Sequence, residues 1–241
     1  MICKNCGATI DTKFCPDCGQ KAETHRITIG HLAHEFFHVM THADKGILFL
    51  IKELIRRPGF VVKEFLEGRR KKYFNPISFI VITSALGAIA SFKSGYYSAL
   101  GRVQTGQASE ASEIAASNSK LLGLFLIVPI YSLLSWLFFW RPRYNFAEHV
   151  VLQSYAIGML YIAQSLIFVP LYLLFPETVS MNNHILHLVF LIYMVVIYKQ
   201  LFNNHILIAL LKAIVIFVAF VAAFWFSIRG YLYLKHLLFA A

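Results

Sequence analysis

Apolar residues run in long unbroken stretches through the last two thirds of the chain and in short periodic bursts through the first third. A bilayer crossing needs about 20 mostly apolar residues in a helix. By that measure, five spans are predicted at residues 74–92, 121–140, 150–175, 184–198 and 206–228. The fourth is the shortest and opens on His184 and His187. Pro170 predicts a kink or an early end in the third, because proline removes a helical hydrogen bond.

Ahead of the spans the pattern changes to an amphipathic one. Ile47, Leu50, Ile51, Leu54 and Ile55 recur at helical spacing. Arg56-Arg57-Pro58-Gly59 breaks that helix, and a second short one is expected over residues 60–67. The product is a helical hairpin lying along the membrane surface, apolar side in the interface and cations toward anionic headgroups.

Composition supports this division. The chain is 58% hydrophobic and only 14% charged, whereas soluble domains carry about 25% charged residues. Residues 1–76 hold 13 Lys/Arg and 8 Asp/Glu, and the remainder only 9 and 4. The net charge of +10 thus divides equally between a short polar region and a long apolar one. It reads as topology and headgroup contact, and no nucleic-acid partner is expected. Arg69 to Lys72 stand directly before the first span and place the N-terminus on the cytoplasmic side. Arg141, Arg143 and Lys199 then fall inside as well. An odd number of spans puts the C-terminus outside. The opening residues lack the basic start and apolar run of a secretory signal, so they are expected to be retained.

All four cysteines lie in the first eighteen residues, as Cys3-x2-Cys6 and Cys15-x2-Cys18, each pair followed by glycine. Two such knuckles bring four thiolates onto one tetrahedral Zn2+. A reducing cytoplasm disfavours disulfides as the alternative. Four thiolates fill the coordination sphere, so the zinc is expected to be structural. Lys4, Lys13 and Lys21 are offset by Asp11, Asp17 and Glu23, a poor footprint for phosphate.

Five of the ten histidines fall between His25 and His42. Within that stretch His34-Glu35-Phe36-Phe37-His38 matches H-E-x-x-H, in which two histidines one turn apart hold zinc and the glutamate serves as general base. His31, His42 or Asp44 would supply a third ligand. The plainer reading is an amphipathic juxtamembrane helix with histidines on its polar face. Farther along, Arg141, Arg143, Glu148 and His149 are expected to gather as an ion-pair clasp, and Lys212 to snorkel to the cytoplasmic surface. Gln153, Gln164 and Ser165 are polar positions of the third span, and no carboxylate lies at mid-membrane depth.

The order of these motifs resembles a family of uncharacterised bacterial membrane proteins, known only as a domain of unknown function, with an N-terminal zinc ribbon. The resemblance rests on Cys15-Pro16-Asp17-Cys18-Gly19, His34-Glu35, Asp44-Lys45-Gly46 and Lys52-Glu53-Leu54. It continues through Arg57-Pro58-Gly59, Glu64-Phe65, Gly68-Arg69-Arg70, Asn75-Pro76 and the run Tyr144 to His149. It implies a multi-span membrane protein with a cytoplasmic zinc ribbon and no established activity, and supplies no catalytic residue; with the charge pattern, an inner-membrane location is expected. A fainter similarity at the level of fold is to five-span Yip1-type proteins, which suggests membrane organisation.

The sequence thus predicts an all-α membrane protein: a zinc ribbon at 1–22, His-rich and basic juxtamembrane helices at 23–72, and a transmembrane domain at 73–241. The expected role is non-enzymatic, with the ribbon binding a cytoplasmic protein partner. A zinc-dependent hydrolase using His34, Glu35 and His38 is the first alternative, and a transporter of a small solute or lipid the second.

Overall fold

The computed structural model describes residues 1–30, 32, 46–105, 126–139 and 144–239. Beyond two isolated bridges in the cysteine knuckles, the described residues form helices and no strands. The hairpin forms as helix α1 (Ile47–Arg56) and helix α2 (Pro58–Leu66), joined at Arg57. Asn75-Pro76 starts the first long helix, α3 (Pro76–Ser94), with proline in the first turn and the Asn75 side chain accepting from the N–H groups of Ile77 and Ser78. A short α4 (Tyr96–Thr105) follows, then α5 (Val128–Phe138), α6 (Phe146–Ala163), α7 (Val169–Leu174), α8 (Val179–Phe202) and α9 (Ile206–Phe239).

Among the described residues, four helical stretches are long and apolar enough to cross a membrane: Pro76–Ser94, Phe146–Leu174, Pro176–Phe202 and Ile206–Ala223. They correspond to the first, third, fourth and fifth predicted spans. The second predicted span is represented by α5, which is apolar but shorter; the flanking residues 121–125 and 140 lie outside the described residues. The fourth span is longer than its apolar run suggested. Helix α8 starts at Val179 and takes in Asn182, whose side chain is buried and donates to Thr178 Oγ1. A polar residue that finds its partner one turn back does not end a helix.

Pro170 neither breaks nor ends the third span. A π-helical turn over Gln164–Phe168 precedes α7 and accommodates the missing N–H. The helical path then continues to Leu174.

Helices α3 and α6 form the tightest pair. A Cβ on Gly158 would lie 2.4 Å from the Phe79 ring, and one on Gly87 would lie 2.8 Å from Tyr161. Each helix sets an aromatic ring on the other's glycine, the close approach that membrane helices use in place of hydrophobic driving force. Around this pair α8 and α5 complete the core with Phe190, Met194, Ile197, Tyr198 and Tyr131.

The hairpin is part of the same core. Leu50, Leu54, Val61, Val62 and Phe65 are buried with the bundle residues. At Gly59 the Cβ of another residue would lie 2.5 Å from Gln200 Cβ, and the Gly59 N–H donates to Gln200 Oε1 at 2.8 Å. Tyr193 in turn donates to the Leu54 carbonyl at 3.1 Å. The inner apolar stripe of the hairpin therefore packs on protein, where the periodicity alone assigns it to the lipid interface. The complementary surface on α8 and α6 is distant in sequence, which local patterning does not show.

Candidate metal centre

The N-terminal knuckles are two copies of one backbone pattern. The Cys3 N–H donates to Ala8 O, Gly7 N–H to Cys3 O, and Ile10 N–H to Met1 O. The second copy repeats this with Cys15 to Gln20, Gly19 to Cys15 and Ala22 to Lys13. Gly7 and Gly19 close the turns at φ 82° and 68°, a left-handed conformation that glycine adopts without strain.

The four sulfurs converge. Their Sγ atoms all lie within 4.8 Å of one another, with Cys3 to Cys18 at 3.7 Å and Cys6 to Cys15 at 3.5 Å. A tetrahedral ion with bonds near 2.3 Å requires sulfur separations of about 3.8 Å. All four cysteines are free thiols. N–H groups of Cys6 and Asn5 hold the Cys3 thiol down to about 6. Cys6, although the Ala8 N–H favours its thiolate, is pushed up to about 12 by burial and the neighbouring sulfurs. Four thiolates this close cannot coexist without a cation among them, so Cys3, Cys6, Cys15 and Cys18 form a cluster able to hold a metal ion. Four sulfur donors would leave such an ion no open position for water, and what it would supply is folding.

The knuckle pair is fastened to the helices at several points. Gln20 Oε1 accepts from the backbone N–H groups of Arg70 and Lys71 at 3.2 and 3.3 Å. Arg26 makes a two-point contact with Glu148 at the start of α6, Nε to Oε1 at 3.0 Å and Nη2 to Oε2 at 2.8 Å. Asn145 Nδ2 donates to the Ile27 carbonyl at 2.9 Å. Asn145 and Glu148 also cap α6 reciprocally, the Asn145 side chain accepting from Glu148 N–H and Glu148 Oε2 accepting from Asn145 N–H. One pair of side chains thus starts a span and holds the segment after the knuckles. The Glu148 carboxylate raises the Arg26 guanidinium above its ordinary pKa, chiefly through that hydrogen bond.

Among the described residues the Glu148 carboxylate pairs with Arg26, from far upstream. Arg141 and Arg143, expected beside it, lie outside the described residues. Sequence reasoning also passed over Gln20, Arg26 and Gln200. A signal existed only for Asn145: asparagine followed three residues later by glutamate, ahead of an apolar run, is a capping-box pattern.

A second charged knot lies where the hairpin meets the first span. Glu64 accepts from Arg57 Nη1 at 2.9 Å, Lys72 Nζ at 2.8 Å and Tyr73 OH at 2.7 Å. Burial would push this carboxyl up, but the hydrogen bonds from Lys72, Tyr73 and Arg57 bring it down to about 2. Arg57 also binds Glu53, its main cause of a raised pKa.

The remaining predicted residues separate as follows. His31, His34, Glu35, His38 and His42 lie outside the described residues. His149 is inside the bundle, with Nδ1 2.7 Å from Ser135 Oγ and its ring stacked on Phe202. A serine beside an imidazole has the atoms of a nucleophile and a base, but Ser135 is 0% and His149 1% exposed. Both are closed off from solvent. Lys212 donates to the Phe138 carbonyl at 3.0 Å and lies over the Phe139 ring, so it closes the end of α5 on the hairpin side of the bundle.

These observations describe an all-helical chain with the spans of a multi-pass membrane protein and an N-terminal four-cysteine cluster able to hold a metal ion. Within it, residues 44–87 match the model of a family described as a protein of unknown function (DUF3667). That stretch contains the hairpin, the Glu64 knot and the first half of the first span. No curated protein and no solved structure matches the chain.

Proposed function

We propose that this chain is a non-enzymatic interaction or membrane-organising protein of a bacterial inner membrane, whose cytoplasmic four-cysteine zinc ribbon presents a docking surface to a protein partner. Zinc is the metal that sulfur-only tetrahedral sites hold without redox chemistry, and the two knuckles have the loop geometry for it. Lys and Arg concentrated before the first span favour a cytoplasmic N-terminus.

The observation that carries the partner reading is on the ribbon surface. Ile2 and Phe14 occupy equivalent positions, each one residue before a knuckle's first cysteine, and are 74% and 53% exposed. Large apolar side chains at both tips of a unit this small exceed what it needs for its own core, which is formed by Cys3, Ile10 and Cys15. Paired exposed apolar tips on a rigid scaffold suit a partner's groove. The fastening through Gln20, Arg26 and Asn145 holds those tips at a fixed place relative to the spans.

A photo-crosslinker placed at Phe14 in native membranes tests this. The reading expects one defined protein adduct that disappears in Cys15→Ser, which cannot fold the second knuckle. A Phe14→Ser chain should lose the same partner by affinity capture while keeping its metal. Absence of any protein adduct at Phe14, with the chain inserted and the metal bound, would remove the partner reading.

A further inference from the structure

The outer side of helix α1 is left exposed by the fold, save that Phe49 sets one face of its ring on Tyr73. Its inner side is satisfied: Leu50 and Leu54 are buried in the bundle, and Glu53 is buried against Arg57. On the opposite arc Leu48, Phe49, Lys52, Ile55 and Arg56 are all exposed, Leu48 at 78% and Ile55 at 67%. Phe60, opening α2, extends the patch. A helix that only needed to pack on the bundle would carry polar residues here.

The arrangement of charge names the occupant. Glu53 and Glu64, the carboxylates that accompany the hairpin's cations most closely, are turned inward and consumed by Arg57, Lys72 and Tyr73. The exposed arc of α1 carries Lys52 and Arg56 and no carboxylate. On α1, with Glu53 inward and Lys52 and Arg56 outward beside apolar side chains, the sorting yields a surface that is both apolar and positive; the exposed Glu67 lies at the far end of α2. Water suits the cations and a neutral protein groove suits the leucine and isoleucine. An anionic phospholipid surface suits both, since Lys and Arg stems lie along the apolar layer while their heads meet phosphate. Position agrees. Gly59 is held on α8 at Gln200, within the last turn of that span, and the chain leaves α2 through one short loop into the first span at Pro76. The hairpin therefore sits at the level where the bundle emerges from the hydrocarbon.

From this we propose that Leu48, Phe49, Ile55 and Phe60, with Lys52 and Arg56, form a lipid-facing surface that inserts into the headgroup layer of an anionic leaflet. The hairpin is then a two-sided wedge, one side packed on protein and the other on lipid. The proposal rests on the membrane-spanning reading of the bundle.

The test uses the full chain in nanodiscs with a benzophenone amino acid at Leu48, at Ile55, or at Leu211. Leu211 is an exposed residue of a span, and its lipid adduct verifies the bilayer reading independently. Leu48 and Ile55 should also yield phospholipid adducts in discs containing phosphatidylglycerol. Each yield should fall at least about fivefold in Lys52→Glu/Arg56→Glu, or in discs of phosphatidylcholine alone, given roughly 1 kcal/mol per basic residue at an anionic surface. The Leu211 yield should not change. Lipid adducts at Leu211 but none at Leu48 or Ile55 would overturn the proposal and leave the bundle reading intact. Adducts of equal yield in both lipids would overturn the anionic recognition. Protein adducts in place of lipid would overturn it too and assign the patch to a protein partner. No lipid adduct at any of the three positions would overturn both readings.

Discussion

The two ends of the bundle solve the same problem with different chemistry. At the end that meets the hairpin and the ribbon, charged contacts fasten the elements: Arg26 with Glu148, distant in sequence, and Arg57 and Lys72 with Glu64, within the hairpin and the loop that leaves it. At the other end, among the described residues, the contacts between helices are neutral. Gln164, at the π turn, donates to Ser91 Oγ at 3.2 Å and Tyr97 OH at 2.9 Å, and Tyr96 packs edge-on against Tyr172. The first end has to hold a separate polar module against the helices, and ion pairs with two-point geometry fix orientation as well as contact. The second end only has to close helices on one another, for which neutral hydrogen bonds and ring packing suffice.

Substitutions at each end should have different consequences. The greatest change is expected from Cys15→Ser: the ribbon should lose its fold entirely, because a knuckle pair without its ion has almost no core. Limited proteolysis should then cut within residues 1–22 while the spans stay intact, since they pack without the ribbon. Next is Glu64→Ala, which leaves Arg57, Lys72 and Tyr73 without their shared acceptor. Thermal unfolding in detergent should show a loss of about 2 kcal/mol, since Arg57 and Lys72 are partly exposed and regain water.

The same knot gives the charged end a pH signature. The Glu64 pKa is depressed from an ordinary 4.5 to about 2, so its stabilisation is present above pH 4.5 and is lost as the pH falls toward 2. Hydrogen exchange across α1 and α2 should rise in that window, with helices around Gln164 unaffected. A uniform rise along the chain would contradict the division. The weakest change is expected from Gln164→Leu, about 1 kcal/mol, with no dependence on salt or pH.

Much of this was legible beforehand, and the reasons are local ones. Cysteine spacing and glycine position determine a knuckle within a few residues, so the metal cluster could be read directly. Long apolar runs marked the first, third and fifth spans. The hairpin break at Arg57-Pro58 follows from proline and glycine chemistry. What escaped depended on distant residues. Asn182 reads as a polar boundary until Thr178 is placed beside it. The inner stripe of α1 reads as an interfacial face until Tyr193 and Gln200 meet it. Arg26 is one cation among 22, and only the fold brings it to Glu148.

Whether the four-thiolate cluster is the protein's single metal site, as a non-enzymatic reading requires, can be decided by metal stoichiometry. Elemental analysis of purified full-length protein should find one zinc per chain, lost in Cys15→Ser and retained in His34→Ala/His38→Ala. Two zinc ions per chain, one of them removed by the histidine substitutions, would contradict it and favour the hydrolase alternative.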